Sequence, residues 1–153
     1  MKLIIAGSSS AGNGYVLQAS TKEAIVIEAG VPFMEIKRQL DFDTRCIAAS
    51  LVSHEHSDHA KYAKEYATAG IPVMASGGTL DAINIKGRAA KQMTSSVVYR
   101  AGDFQIMGFK VKHDAAEPFG FLIQHPETGK ILFITDTAQI DYEFNGLTQL
   151  MIE

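Results

Sequence analysis

Ser53-His54-Glu55-His56-Ser57-Asp58-His59 is the stretch on which the reading of this chain turns: three histidines and an aspartate fall within six residues. The apolar segment Cys46–Val52 precedes it and reads as a buried strand. The alanine-rich segment Ala60–Ala69 follows it and reads as a helix, with Gly70 placed to end it. In extended chain, residues two apart point the same way, so His54 and His56 share one target. Asp58 and His59 stand where the chain turns into the helix and diverge toward a second, adjacent target. Asp58 also suits the N-cap of that helix. Imidazole and carboxylate without thiolate suit zinc, iron or manganese.

Two later strands repeat the layout. The segment Phe104–Lys112 delivers His113-Asp114, and the apolar run Ile131-Leu132-Phe133-Ile134 delivers Thr135-Asp136. Laid side by side, three buried strands would bring their terminal residues to one rim of a sheet. The fifth histidine, His125, sits beside Pro126 in the hairpin turn Pro126-Glu127-Thr128-Gly129 and reads as structural. Glu55 and Ser57 alternate away from the histidines, toward solvent or the surroundings of the ligands. Tyr62 and Tyr66, four apart on the helix, read as core or rim.

Working outward, strands are expected at Leu3–Ala6, Tyr15–Ala19 and Ala24–Glu28, separated by small-residue and polar turns. A helix is expected from Pro32 to Leu40, with proline in its first turn. A short strand follows at Pro72–Met74 and a short helix at Thr79–Ile83. Further strands are expected at Val97–Tyr99, Phe119–Gln124 and Lys130–Thr135, with a last one beginning at Leu150 and running to Glu153. Strands and helices in blocks argue for an α/β or α+β sandwich.

The 153 residues are 46% hydrophobic and 20% charged, and the net charge is −3. One domain, 1–153, fits this length, which buries about 70% of its extended-chain surface on folding. The charge balance disfavours general coating of nucleic acid. Six Lys or Arg between Lys86 and Lys112, against the single acid Asp103, form a local basic excess suited to steering phosphate. The single cysteine, Cys46, permits no intrachain disulfide and reads as a small packed hydrophobe, which fits a reducing compartment. The apolar stretch at the N-terminus is too short for a signal-peptide core, and no run approaches the ~18 apolar residues of a membrane span. The chain therefore reads as soluble and cytoplasmic, with no membrane partner.

His54-Glu55-His56-Ser57-Asp58-His59 matches the pattern HxHxDH and resembles the metallo-β-lactamase superfamily. Gly7-Ser8-Ser9-Ser10-Ala11-Gly12-Asn13 and His113-Asp114-Ala115-Ala116-Glu117-Pro118-Phe119-Gly120-Phe121 are similar to its small bacterial branch related to phosphodiesterases and DNA exonucleases. The resemblance implies an αββα four-layer sandwich. It implies a first metal on His54, His56 and His113, a second on Asp58 and His59, and Asp136 bridging both. Two divalent ions, zinc first with manganese or iron as alternatives, would then act, with Asp58 and Asp136 as catalytic residues. The implied activity is hydrolysis by a metal-held hydroxide, foremost of phosphodiesters in small molecules or at nucleic-acid ends. A carbonyl substrate (thioester, lactone or β-lactam) and an inactive metal-binding fragment are the alternatives.

Two features depart from the pattern. Glu28 stands where the family has an aspartate that braces the metal loop. No histidine follows His125, although a last ligand histidine is usual after the Asp136 region. The second metal site is thus incomplete, and the sandwich is expected to be incomplete in its C-terminal half, as in a truncated chain or one completed by another copy. An apolar last strand with an unpaired edge favours a homo-oligomer.

Overall fold

The computed structural model describes residues 1–152. Two sheets face each other, one six-stranded in the order β1-β2-β3-β4-β5-β6 and one five-stranded in the order β11-β10-β9-β8-β7. The first contains β1 (Lys2–Gly7), β2 (Gly14–Gln18), β3 (Ala24–Ile27), β4 (Ile47–Leu51), β5 (Val73–Ser76) and β6 (Ala90–Met93). The second contains β7 (Val98–Ala101), β8 (Phe104–Lys110), β9 (Phe119–His125), β10 (Gly129–Ile134) and β11 (Leu147–Ile152). Four helices accompany them: α1 (Phe33–Gln39), α2 (Ser57–Ala60), α3 (Ala63–Thr68) and α4 (Gly77–Ala82).

The central strands of the first sheet are buried on both faces, and successive side chains feed two main cores. Val16, Val26 and Val73 point from the first sheet toward its helices and pack with Phe33, Ile36 and Tyr66. Leu17, Ile25, Ile27 and Leu51 point the other way and meet Phe104, Ile106, Phe121 and Phe133 of the second sheet. Removing such side chains from water is the main stabilising term. The outer face of the second sheet carries Phe109, Leu132 and Ile134 under Ile140, Phe144 and Leu147. Residues 135–146 contain no helix, so helices cover the first sheet and an irregular segment covers the second.

Strand direction creates one functional rim. β3, β4 and β5 are mutually parallel, so their C-terminal ends coincide. β8 and β10 both run antiparallel to the intervening β9 and therefore also share one direction. The expectation of ligand-bearing strands side by side is corrected here: β4 lies in one sheet, and β8 and β10 flank β9 in the other. Their ends converge across the gap between two sheets.

Other boundaries differ for local reasons. The helix expected over Ala60–Ala69 is divided in two because Tyr62 N–H leaves the helical ladder and donates to Ala29 O at 2.9 Å. Its first turn starts earlier, with His56 at the N-cap and Asp58 inside the turn, so Asp58 is not the cap. Residues Thr44–Cys46 form a 3-10 turn before β4. Cys46 Sγ donates to Asp43 O at 3.0 Å while the residue packs against the first core. β6 escapes sequence reading because Lys91 and Gln92 are exposed on an edge strand and leave no apolar alternation. The last strand begins three residues before Leu150 and pairs in parallel with β10; Glu153 lies outside the described residues. No helix among the described residues is long and apolar enough to cross a membrane.

Candidate metal centre

β4 ends at Leu51, and the chain continues extended through Ser53 and His54 before α2 begins. Several backbone bonds fix this turn. Asp58 O accepts Asn13 N–H at 2.7 Å, His59 O accepts Ala29 N–H at 2.7 Å, and Gly30 N–H donates to Asn13 O at 2.9 Å. The approach is so close that a Cβ on Gly30 would lie 1.6 Å from Asp58 O. Only glycine fits there.

His54, His56 and His113 converge, with one nitrogen of each lying within 4.8 Å of the others. His113 Nε2 stands 3.1 Å from His56 Nδ1. His54 Nδ1 lies 2.9 Å from Ser53 Oγ. With the proton on Nδ1, donated to that hydroxyl, the ring would present a bare Nε2 to the cluster. His54, His59 and Asp136 form a second group of the same tightness. Asp136 Oδ2 is shared between them, 2.9 Å from His59 Nε2 and 3.6 Å from His54 Nε2. Asp58 Oδ2 lies 3.3 Å from the same His59 nitrogen. All six residues named from the sequence thus meet at one rim.

Charge is divided unevenly across the rim. Burial, followed by the neighbouring His59, His113 and His56 rings, depresses His54 to about 3, which keeps it neutral. Burial alone would also pull His59 down. The buried Glu28 carboxylate beside it, then the charges of Asp58 and Asp136, outweigh it and hold His59 at about 9. Glu28 is fully buried, and burial raises its own carboxyl above the usual range. Its Oε2 accepts Ser53 N–H at 3.3 Å and stands 3.7 Å from His59 Nδ1. The brace expected of an aspartate is therefore present as a glutamate, at long range.

The residues fit a divalent cation. His54 Nε2, the nitrogen turned toward Asp136, is buried and lacks a hydrogen-bond partner, a costly state for an imidazole nitrogen with nothing to bind. Bare nitrogens facing one another, beside carboxylates, are the donor set that zinc, manganese or iron accepts. His54, His56 and His113 would hold one ion; His59 and Asp58 would hold another, with Asp136 between.

Sequence reasoning assigned no role to one contributor, Asn13, and gave no sign of the backbone strain at two others. Asn13 is buried; its Oδ1 accepts Ser9 N–H at 2.9 Å and its Nδ2 lies 3.5 Å from His59 Nε2. Only the loop motif that contains it gave a signal. Glu28 and Asp136 have φ of 65° and 42°, left-handed values that side chains rarely adopt. That strain turns each carboxylate into the rim from a strand end.

A third group of possible ligands, Glu23, Asp103 and His125, lies at the opposite end of the strands. Here His125 Nδ1 accepts Glu127 N–H at 3.2 Å, so the neutral ring carries its proton on Nε2 and offers no lone pair there. Glu23 Oε2 is already engaged by Asp103 N–H at 2.9 Å.

The fold is shared with solved structures. YhfI of Bacillus subtilis, a metallo-β-lactamase fold protein, superposes with a TM-score of 0.68 at 14% identity over 85% of this chain and 60% of that one. MEM-A1, a subclass B3 metallo-β-lactamase from a soil metagenome, gives 0.70 at 17% identity over 95% and 63%. The chain thus has the metallo-β-lactamase fold. Among curated proteins, it is 30% identical to exodeoxyribonuclease YycJ of Bacillus anthracis, over 91% of this chain and 56% of that protein. It is 26% identical to exodeoxyribonuclease WalJ of Streptococcus pneumoniae, over 97% and 58%. The chain therefore spans a little over half the length of these relatives. No family model matches it.

Proposed function

We propose that this chain carries the metal centre of a metal-dependent hydrolase of phosphodiester bonds, with DNA ends the foremost substrate. The observation that carries the reading is Asp136 Oδ2, poised between His54 Nε2 and His59 Nε2. It joins two ligand groups into one centre. The exodeoxyribonuclease names of the curated relatives support a nucleic-acid substrate.

The chain's own residues perform definable tasks. His54, His56 and His113 form an imidazole face in which burial keeps His54 unprotonated. Asp58, His59 and Asp136 form a carboxylate-bearing face next to it, suited to a cation. Without a cation, the carboxylates of Glu28, Asp58 and Asp136 favour a proton on His59, and a cation held there would displace it. Divalent ions bound there would supply Lewis acidity, lowering the pKa of water from about 16 toward about 7. Asp58, with its carboxylate at the edge of the group, orients the attacking water and takes up its proton.

The basic excess read from the sequence is distributed by the fold. Lys110 and Lys112 stand at the β8 end near His113; Lys112 Nζ is paired with Asp141 at 3.1 Å, which leaves Lys110 to meet a phosphate chain. Lys86, Arg88 and Arg100 belong to the opposite end, because β6 runs parallel to β5 and β7 antiparallel to β8. Zinc as the metal, a cytoplasmic setting and a homo-oligomer built on the outer strand edges are parts of the same proposal.

The test is a substrate panel run with Zn2+ or Mn2+: bis-p-nitrophenyl phosphate and end-labelled DNA beside a lactone and S-lactoylglutathione. Phosphodiester turnover that disappears with chelator is the expected result. Turnover of the carbonyl compounds alone would reject it, and stoichiometric metal with no turnover would reduce the chain to a metal-binding fragment.

A further inference from the structure

Glu55 lies between two of the three imidazoles in sequence, yet its carboxylate turns away from them. Oε1 accepts the backbone N–H of Ala116 at 2.7 Å. Ala116 belongs to the irregular segment that carries His113, three residues downstream of it. The far side of this segment is anchored elsewhere. Glu117 O accepts Ser76 Oγ at 2.6 Å and Thr79 Oγ1 at 3.3 Å, and Glu117 Oε2 accepts Gly78 N–H at 3.0 Å. Its near side is anchored by Thr137, whose Oγ1 accepts Lys112 N–H at 3.2 Å. Between these anchors, among the described residues, the Glu55 bond is the one side-chain hydrogen bond to a backbone group. It runs from the His54-Glu55-His56 segment straight to the His113 loop.

The geometry of Glu55 suits holding rather than solvation. Its Oε2 is buried without a hydrogen-bond partner. A carboxylate that gives up water at one oxygen keeps its place only if the other makes a strong contact, and a charge-assisted bond to an amide supplies one. Glu55 makes no ion pair among the described residues, so its charge is directed at the Ala116 amide. The sequence placed Glu55 only as facing away from the ligands; the fold gives that direction a target.

We propose that Glu55 is a positioning residue: through the Ala116 amide it holds the His113 loop so that the third imidazole stands in register with His54 and His56 before a cation arrives. The inference rests on the metal-centre reading above, because it assigns the loop a ligand to present. Preorganisation of this kind lowers the ordering cost of binding, and removing outer partners of metal ligands typically weakens affinity about 10–100-fold.

The test compares Glu55→Ala with Glu55→Gln, which keeps a carbonyl oxygen able to accept the amide. Two quantities are read on the chain: Zn2+ affinity against a chromophoric competing chelator, and amide hydrogen exchange at Ala116 without metal. Glu55→Ala should weaken Zn2+ binding about tenfold and speed exchange at Ala116. Glu55→Gln should restore both to near the parent values. Unchanged affinity or unchanged exchange in Glu55→Ala overturns the proposal, as does a Gln variant as impaired as the Ala variant. Should the parent chain take up no Zn2+, the metal-centre reading falls, while exchange at Ala116 still decides whether Glu55 holds the loop.

Discussion

Histidine and carboxylate meet at both ends of this sandwich, and the two meetings differ in how many imidazoles they gather. At the β4–β8–β10 end, nitrogens face nitrogens: His113 Nε2 lies 3.1 Å from His56 Nδ1, and His54 Nε2 has no hydrogen-bond partner. At the opposite end, acids are engaged by N–H groups. Glu23 takes the Asp103 amide, while Glu127 takes the N-terminal ammonium at 2.8 Å and Ser20 N–H at 2.8 Å. The first end gathers three imidazoles round one point; the second has a single imidazole, its Nε2 also buried without a partner, among acids already held by N–H groups. Residue type alone does not make a metal centre. Several imidazole nitrogens converging on one point do.

Breaking the first end should have the largest effect. His56→Ala should lower Zn2+ affinity by more than the 10–100-fold seen for outer partners, read as metal per chain by plasma mass spectrometry. Unchanged metal content would remove the contrast between the ends. Asp136→Ala should weaken both ions together, and loss of neither would refute a bridging role. Gly30→Ala should cost about 3 kcal/mol, at the upper end of overpacking penalties, because its Cβ would lie 1.6 Å from Asp58 O. Denaturant unfolding measures this, and a near-neutral result would show that the turn yields.

The opposite end should respond to acid and not to metal. The N-terminal ammonium, then Ser20, holds the Glu127 carboxyl down at about 2, below its ordinary 4.5. A group lowered on folding contributes stability above its unfolded pKa and loses it as pH falls through the folded value. Glu127→Gln should therefore lower Tm modestly at pH 6, with the difference from the parent shrinking as pH drops from 4.5 toward 2. A difference that grows on acidification would contradict the assignment. The smallest effect on metal should come from His125→Ala. It loses packing on Phe104, whose ring centroid is 4.6 Å away, but should leave Zn2+ stoichiometry unchanged.

Much of the rim was legible because local pattern dictates it. An apolar strand followed by HxHxDH announces His54, His56, Asp58 and His59, and strand ends announce His113 and Asp136. What the sequence hides is nonlocal. The division of the Ala60–Ala69 helix depends on Tyr62 bonding Ala29, more than thirty residues away. β6 is an edge strand whose exposed Lys91 and Gln92 erase the alternation that would mark it. Glu28 looks like the last residue of a strand until its left-handed φ and complete burial are seen. The partner of Glu55 lies across a loop that has no periodicity to read.

The central claim, that the ends of β4 and β8 cage a divalent cation, is tested most directly by anomalous scattering from crystals of the chain grown with Zn2+. The account predicts a peak about 2.0–2.1 Å from His54 Nε2, His56 Nδ1 and His113 Nε2. Density for zinc confined to the Glu23–Asp103–His125 end, or none within reach of the three imidazoles, would contradict it.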